Sequence, residues 1–183
     1  MKFHDTPLPG LRLVESDVRA DHRGRFERVY CEQAMASLHP RLHVAQANLS
    51  TTLGKGSLRG LHYQAAPALE AKLVRCLQGK VFDVAVDLRA GSPTFLKWHA
   101  VELSGGGPYA LFIPEGFAHG FQVLSDEAQL LYFHTAAWSA GCEGGLRHDD
   151  PSLSIQWPLP AAAISDRDLN HPLLDAGFTG LRT

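Results

Sequence analysis

Hydrophobic and polar residues alternate through the middle of the chain in short bursts. From Leu42 to Ser50 the period is two. Val44, Gln46, Asn48 and Ser50 fall on one face, and His43, Ala45, Ala47 and Leu49 on the other, as in a half-buried strand. Runs rich in Val, Leu, Phe and Tyr predict further strands over Leu58–Tyr63, Lys72–Gln78, Lys80–Leu88, Lys97–Leu103, Tyr109–Ile113, His119–Leu124 and Ala128–Thr135. Turn signals separate them: Gly54-Lys55-Gly56, Gly79, Gly91-Ser92-Pro93, Gly105-Gly106-Gly107 and Pro114-Glu115-Gly116. Helix is confined to Glu32–Ser37 and a turn near Asp166–Leu169. Many short strands at this spacing predict an all-β sandwich or barrel. No repeat, low-complexity tract or linker interrupts residues 1–183, so one domain is expected. Where Gln, Asn, Arg and His occupy inward positions, a barrel has a pocket to line.

Composition narrows the function. A chain of 183 residues can bury a real core. The formal net charge of -2 offers no basic footprint for nucleic acid or an anionic membrane. No apolar run approaches the ~20 residues needed to span a bilayer, and Met1–Asp5 lacks the apolar stretch of a signal peptide. Three cysteines, Cys31, Cys76 and Cys142, cannot all pair within one chain, and none lies in a CxxC or CxxH pair. Together these features predict reduced thiols, no structural zinc and a cytoplasmic protein.

Four segments carry candidate chemistry. The densest is Arg59-Gly60-Leu61-His62-Tyr63-Gln64, followed by Lys72. A strand of strict period two would place Arg59 and His62 on opposite faces, unless Gly60 admits a bulge. A lone His in a strand is most simply a hydrogen-bonded core residue. Here Arg59, Gln64 and Lys72 add more polar groups than a core strand needs. The second segment, Ile113-Pro114-Glu115-Gly116-Phe117-Ala118-His119-Gly120, has the turn-then-His form of the second half of a cupin pattern; its plainer reading is a hairpin with a surface His. In the third, Tyr132 shares a face with Leu130 and His134, where a Tyr packed in a sheet is the commoner situation. In the fourth, Ser165 and Asp168 have capping-box-like spacing, a local role that competes with catalysis without excluding it.

In this order the segments resemble the dTDP-4-dehydrorhamnose 3,5-epimerase family. The matching stretches are Asp21-x-Arg23-Gly24-x-Phe26, Gln46-x-Asn48-x-Ser50, Arg59–Gln64, Lys72-Leu73-Val74, Asp83-Val84-x-Val86-Asp87-Leu88-Arg89, Ile113–Phe121, Asp149-Asp150-Pro151, Ile155-x-Trp157-Pro158 and Ser165-x-x-Asp168. They cover roughly residues 20–170. The resemblance implies a cupin-type β-barrel (jelly roll) with short peripheral helices, working as a homodimer that exchanges N-terminal strands. It implies no metal and no cofactor. The substrate would be a nucleotide-diphosphate sugar, with no nucleic acid or membrane as partner. It implies that His62 accepts a proton, that Asp168 orients it, and that Tyr132 donates a proton on the opposite ring face. Lys72 would stabilise the enolate. Arg23, Phe26, Gln46, Asn48, Arg59, His119, Trp138, Glu143 and Arg167 fall at substrate-binding positions. Arg28 belongs to the nucleotide side and stands where many members carry Glu, which leaves the base open. Trp138 stands where Tyr is frequent, and Glu70 where Gln is frequent.

These residue types suit proton transfer beside a ketone. Losing that proton puts negative charge on the carbonyl oxygen, which a cation stabilises as it develops. A neutral His is a competent base because its ordinary pKa is ~6.5. Arginines suit a diphosphate, which a guanidinium grips bidentately. The leading expectation is therefore inversion at C3, C5 or both of a dTDP-4-keto-6-deoxy sugar. Next comes the same chemistry on a CDP-linked or other nucleotide sugar. A metal-dependent cupin would use His62, Glu70 or Gln64, and His119, but the usual His-x-His reads His62-Tyr63-Gln64 here. A non-catalytic sugar-binding module would keep Arg59 and Lys72 without needing His62, Asp168 and Tyr132.

Overall fold

A computed structural model describes residues 1–38 and 43–183. Thirteen strands and two one-turn helices are found among them. In chain order they are β1 Lys2–Asp5, β2 Arg12–Glu15, β3 Val18–Asp21, β4 Gly24–Glu27, α1 Glu32–Met35, β5 Gln46–Leu53, β6 Leu58–Gln64, β7 Lys72–Gln78, β8 Lys80–Asp87, β9 Trp98–Ser104, β10 Tyr109–Ile113, β11 Phe117–Val123, β12 Glu127–His134, β13 Glu143–Gly145 and α2 Asp166–Leu169. A six-stranded sheet runs β1-β2-β10-β7-β12-β5 and a five-stranded one β13-β6-β11-β8-β9. The pairings between named strands are antiparallel.

The two sheets face each other as a cupin-type jelly roll. Val74, Cys76, Leu111 and Leu130 from the six-stranded sheet meet Val81, Ala85, Leu103, Phe121 and Val123 from the other in one buried cluster. Period two explains the layering. On β8, Val81, Asp83 and Ala85 point into this space. Phe82, Val84 and Val86 point the other way, into a second cluster capped by Leu146, Leu153, Ile155 and Trp157 of the C-terminal segment. That segment, laid across the back of the five-stranded sheet, brings α2 to β6.

The predicted strands from residue 58 onward are all present; Lys72–Gln78 and Tyr109–Ile113 keep their bounds and the others shift by one or two residues at an end. The strand predicted from Leu42 begins at Gln46 and runs on to Leu53, because Thr51–Leu53 continue the pairing with Glu127–Gln129; Leu42 itself lies outside the described residues. Strands β1 to β4 and β13 were not predicted. Four of them are four residues long and one is three, too short for a period to register. Strand β2 also pairs with β10, far along the chain.

Asp87 ties the loop after β8. Its carboxylate accepts from Arg89 Nε and Nη2, Ser92 Oγ and Thr94 Oγ1, while Arg89 also donates to the Pro9 carbonyl. Burial alone would raise this carboxyl, but the Arg89, Ser92 and Thr94 hydrogen bonds outweigh it and bring the pKa down to about 2. A depressed folded-state pKa stabilises above the unfolded value and loses that contribution as pH falls through the folded one. Asp87→Asn should therefore cost about 2 kcal/mol at neutral pH. The difference from wild type in urea titrations should shrink below about pH 4 and vanish near pH 2. A pH-independent difference would assign the loss to packing.

Candidate active site

A bulge builds one wall of the site. Opposite β11, His62 pairs with His119 and Arg59 with Phe121, so three steps on β6 match two on β11. His119 and Phe121 are two apart and share a face, so Arg59 and His62 share it too. The extra residue is accommodated at Gly60, which has φ +109° and whose missing Cβ would lie 2.5 Å from Gly120 Cα. No side chain fits there. The bulge also frees the Gly60 N–H, which donates to Asp168 Oδ2 at 3.0 Å. The other carboxylate oxygen, Oδ1, lies 2.7 Å from His62 Nε2. A carboxylate only accepts, so Nε2 carries the proton and Nδ1 is left with its lone pair. Asp168 is held in turn by its backbone N–H, which donates to Ser165 Oγ at 3.1 Å. The capping role and the His-orienting role thus coexist, one through the backbone and the other through the side chain.

The opposing wall comes from the six-stranded sheet. Gln46, Asn48 and Ser50 of β5, Lys72 of β7, and Tyr132 and His134 of β12 line a cavity of about 290 Å³ together with Arg59, His62 and His119. His62 and Tyr132 therefore stand on different sheets with the cavity between them. The Tyr132 ring meets the edge of His119 and stacks on His134, with both centroid separations 5.8 Å. Burial raises its phenol well above the usual value, and the negative Asp83 adds to the rise against Arg59. The hydroxyl stays protonated, the state a proton donor requires.

Buried charges organise the floor. Glu70 bridges two groups: Oε1 lies 2.9 Å from Lys72 Nζ and Oε2 lies 2.8 Å from His134 Nδ1. Burial would raise the Glu70 carboxyl, but His134 and Lys72 together hold it below the carboxylate norm. His119 Nε2 lies 2.8 Å from Asp83 Oδ1, a second His–Asp pair, and Asp83 is fully buried. For Asp168, burial pushes upward while His62 and the Gly60 N–H pull the carboxyl down, with a net lowering.

At the mouth, Arg59 Nε donates to Thr52 Oγ1. Trp138 is exposed, with its backbone N–H held by Gln46 Oε1. Glu143 of β13 lines the cavity and accepts from Arg167 Nη2. Nine of the fourteen predicted residues line the cavity: His62, Tyr132, Lys72, Gln46, Asn48, Arg59, His119, Trp138 and Glu143; Asp168 reaches it through its bond to His62. Arg167 reaches it only through Glu143. Arg23, Phe26 and Arg28 do not reach this cavity within one chain. The hairpin β3–β4 pairs only with itself, Phe26 is 73% exposed, and Arg23 is bound to Asp21. Arg28 is exposed, its carbonyl accepting from Ser16 Oγ. The ligand set of a metal cupin is not assembled: Glu70 is held by Lys72 and His134, His119 by Asp83, and the Gln64 Oε1 by the Ser139 N–H. Sequence reasoning did not assign Asp83, Glu70 and His134 to the site. Period two from His119 and Tyr132, followed across the strand pairing, would have found the first and the last.

The family model described as dTDP-4-dehydrorhamnose 3,5-epimerase matches residues 5–176. A dTDP-4-dehydrorhamnose 3,5-epimerase of Shigella flexneri is 44% identical over 180 residues, covering 97% of this chain and 99% of that protein. A dTDP-4-dehydrorhamnose 3-epimerase of Streptomyces niveus is 38% identical over 183 residues, covering 97% and 88%. Among solved structures, a dTDP-6-deoxy-D-glucose-3,5-epimerase from Legionella pneumophila, in complex with dTDP-4-keto-L-rhamnose, superposes with a TM-score of 0.91 at 37% identity, covering 100% of this chain and 98% of that one.

Proposed function

The chain belongs to the dTDP-4-dehydrorhamnose 3,5-epimerase family, and from that premise we propose that it inverts C3 and C5 of a dTDP-linked 4-keto-6-deoxy sugar. The observation that carries the mechanism is the placing of a base and an acid on facing sheets. His62 Nδ1, with Asp168 holding the other ring nitrogen, takes the proton next to the ketone. Asp168 favours the imidazolium that forms. Lys72 meets the oxygen on which enolate charge develops. Tyr132 returns a proton from across the cavity, and the carbon leaves inverted. Arg59 at the mouth suits the diphosphate, and the flat Trp138 ring suits stacking on the base.

The assembly we propose is a homodimer of this one cupin-type unit, in the cytoplasm. Cys31, Cys76 and Cys142 are free thiols, and no helix among the described residues is long and apolar enough to cross a membrane. Strand β5 is the open edge of its sheet, and Leu49 and Leu53 on it are 61% and 69% exposed. The hairpin β3–β4 stands beside this sheet, anchored by the buried Arg75 to Glu27 ion pair. A second copy would cover the apolar edge and bring Arg23, Phe26 and Arg28 to the nucleotide side of the pocket. Such an interface should exceed ~1,000 Å². Sedimentation should show a dimer, and a fully active monomer would refute this arrangement.

Turnover of a panel of nucleotide-linked 4-keto sugars in D₂O tests the function. The dTDP sugar should take up deuterium at C3 and C5 fastest. A faster CDP-linked sugar would reassign the substrate, and label at C3 alone would make the protein a monoepimerase.

A further inference from the structure

Behind the catalytic pair lies a third group that the proposed reaction does not use. His171, two residues past the end of α2, presents Nε2 at 3.8 Å from Asp168 Oδ1, and its ring meets that of His62 edge-on at 6.0 Å. This Nε2 is buried and has no hydrogen-bond partner. The backbone makes room for the ring: a Cβ on Gly145 would fall 2.1 Å from it. The ligand atoms of His62, Asp168 and His171 all lie within 4.8 Å of one another.

We propose that His62, Asp168 and His171 form a latent site for a divalent transition metal, Zn²⁺ above all, whose occupation switches the proton acceptor off. Two imidazoles and a carboxylate are a common zinc set, with the fourth position left to water. Tetrahedral ligands at ~2.0–2.1 Å stand roughly 3.3 Å apart. The 2.7 Å pair must open and the 3.8 Å pair close, each by about half an ångström. Asp168 Oδ2 can keep its bond to the Gly60 N–H throughout.

The consequence follows from the proton count. A neutral imidazole carries one proton. With zinc on His62 Nε2, that proton moves through solvent to Nδ1, with no net release. Nδ1 is the nitrogen left for the cavity, and once protonated it accepts nothing. Arg59, Gln46, Asn48 and Lys72 are untouched, so substrate still binds. Zinc should therefore lower kcat and leave KM unchanged. The loss should approach the contribution of a general base, about 10²–10⁴-fold. This kinetic consequence rests on the role proposed above for His62; the metal site itself does not.

Two arms test it on the full chain. In the first, Co²⁺ alone is added as a spectroscopic probe. Wild type should gain tetrahedral visible bands that saturate at one ion per chain. His171→Phe keeps a ring against Gly145 but removes the lone pair, and should gain none. In the second, Zn²⁺ is added during turnover. Wild type should lose kcat by ~10²-fold or more, recover with chelator and hold its KM, while His171→Phe turns over normally and ignores zinc. Bands or zinc inhibition persisting in His171→Phe, or inhibition through KM, would overturn the proposal. Should that variant fold poorly, ¹⁵N spectra of wild type decide: Zn²⁺ must shift Nε2 of both His62 and His171, and static resonances refute the site. Co²⁺ bands that depend on His171, in a protein that turns over no 4-keto sugar, would uphold the site and overturn the epimerase reading instead.

Discussion

His62→Ala is expected to abolish inversion at both carbons and, with it, exchange of the sugar C–H with D₂O. The reason is geometric. Among the cavity histidines of the described residues, His62 has the most accessible side chain, 32% exposed against 5% for His119 and 11% for His134, so it is the imidazole a bound sugar can reach. His119 and His134 also pair with carboxylates, Asp83 and Glu70, but lie deeper in the wall. Their side chains are nearly closed off from the cavity, so neither can take over the proton. Without the base no enolate forms, so no later step can rescue exchange. The loss should reach or exceed the ~10²–10⁴-fold typical of a general base. Asp168→Asn should fall between this variant and wild type, because the amide no longer selects the Nε2–H tautomer but the ring stays in place. Retention of exchange in His62→Ala would move the base elsewhere in the cavity.

Lys72→Ala and Arg59→Ala should differ in kind. Lys72 is buried in the floor beside Glu70, and in the proposed mechanism its charge acts where charge appears only on the way to the enolate. Its removal should cut kcat by roughly 10²–10³-fold, the cost of losing one oxyanion-stabilising donor, with a smaller change in KM. Arg59 lies at the exposed rim, held by Thr52. A diphosphate there is gripped equally before and during reaction, so Arg59→Ala should mainly raise KM. Steady-state kinetics of the two variants on the dTDP sugar would check this, and the reverse pattern would mean the two roles are exchanged.

How far these assignments were readable from sequence depends on how local each one is. The alternation on Gln46, Asn48 and Ser50 predicts a shared face, and the structure puts all three on the cavity wall. Tyr132 and His134 follow by the same period. Arg59 and His62 do not, since strict alternation separates them. Only the close approach of Gly60 to Gly120, a contact between strands, shows why the bulge forms. The pairing of Asp168 with His62 spans 106 residues and needs the C-terminal segment to fold across the sheet; no local pattern contains it, and the family resemblance supplied it. Nothing local in the sequence explains Glu70 where Gln is frequent, beyond its offer as a metal-cupin ligand. Its meaning appears only when Lys72 and His134, on neighbouring strands β7 and β12, converge on one carboxylate. The four N-terminal strands were missed because each is four residues long. Arg23 and Phe26 sit on the separate hairpin β3–β4, away from the cavity, so no pattern within one chain places them in it.

The central claim is that His62 and Tyr132 act on opposite faces of one ring, and Tyr132→Phe tests it most directly. The substitution keeps the ring between His119 and His134 and removes only the acid. NMR of the dTDP-4-keto sugar in D₂O should then show label entering at C3 and C5 with the original configuration, through reprotonation by His62. Inversion should fall by about 10²–10⁴-fold while exchange falls much less. Equal loss of exchange and inversion would contradict the two-face mechanism and return Tyr132 to a packing role.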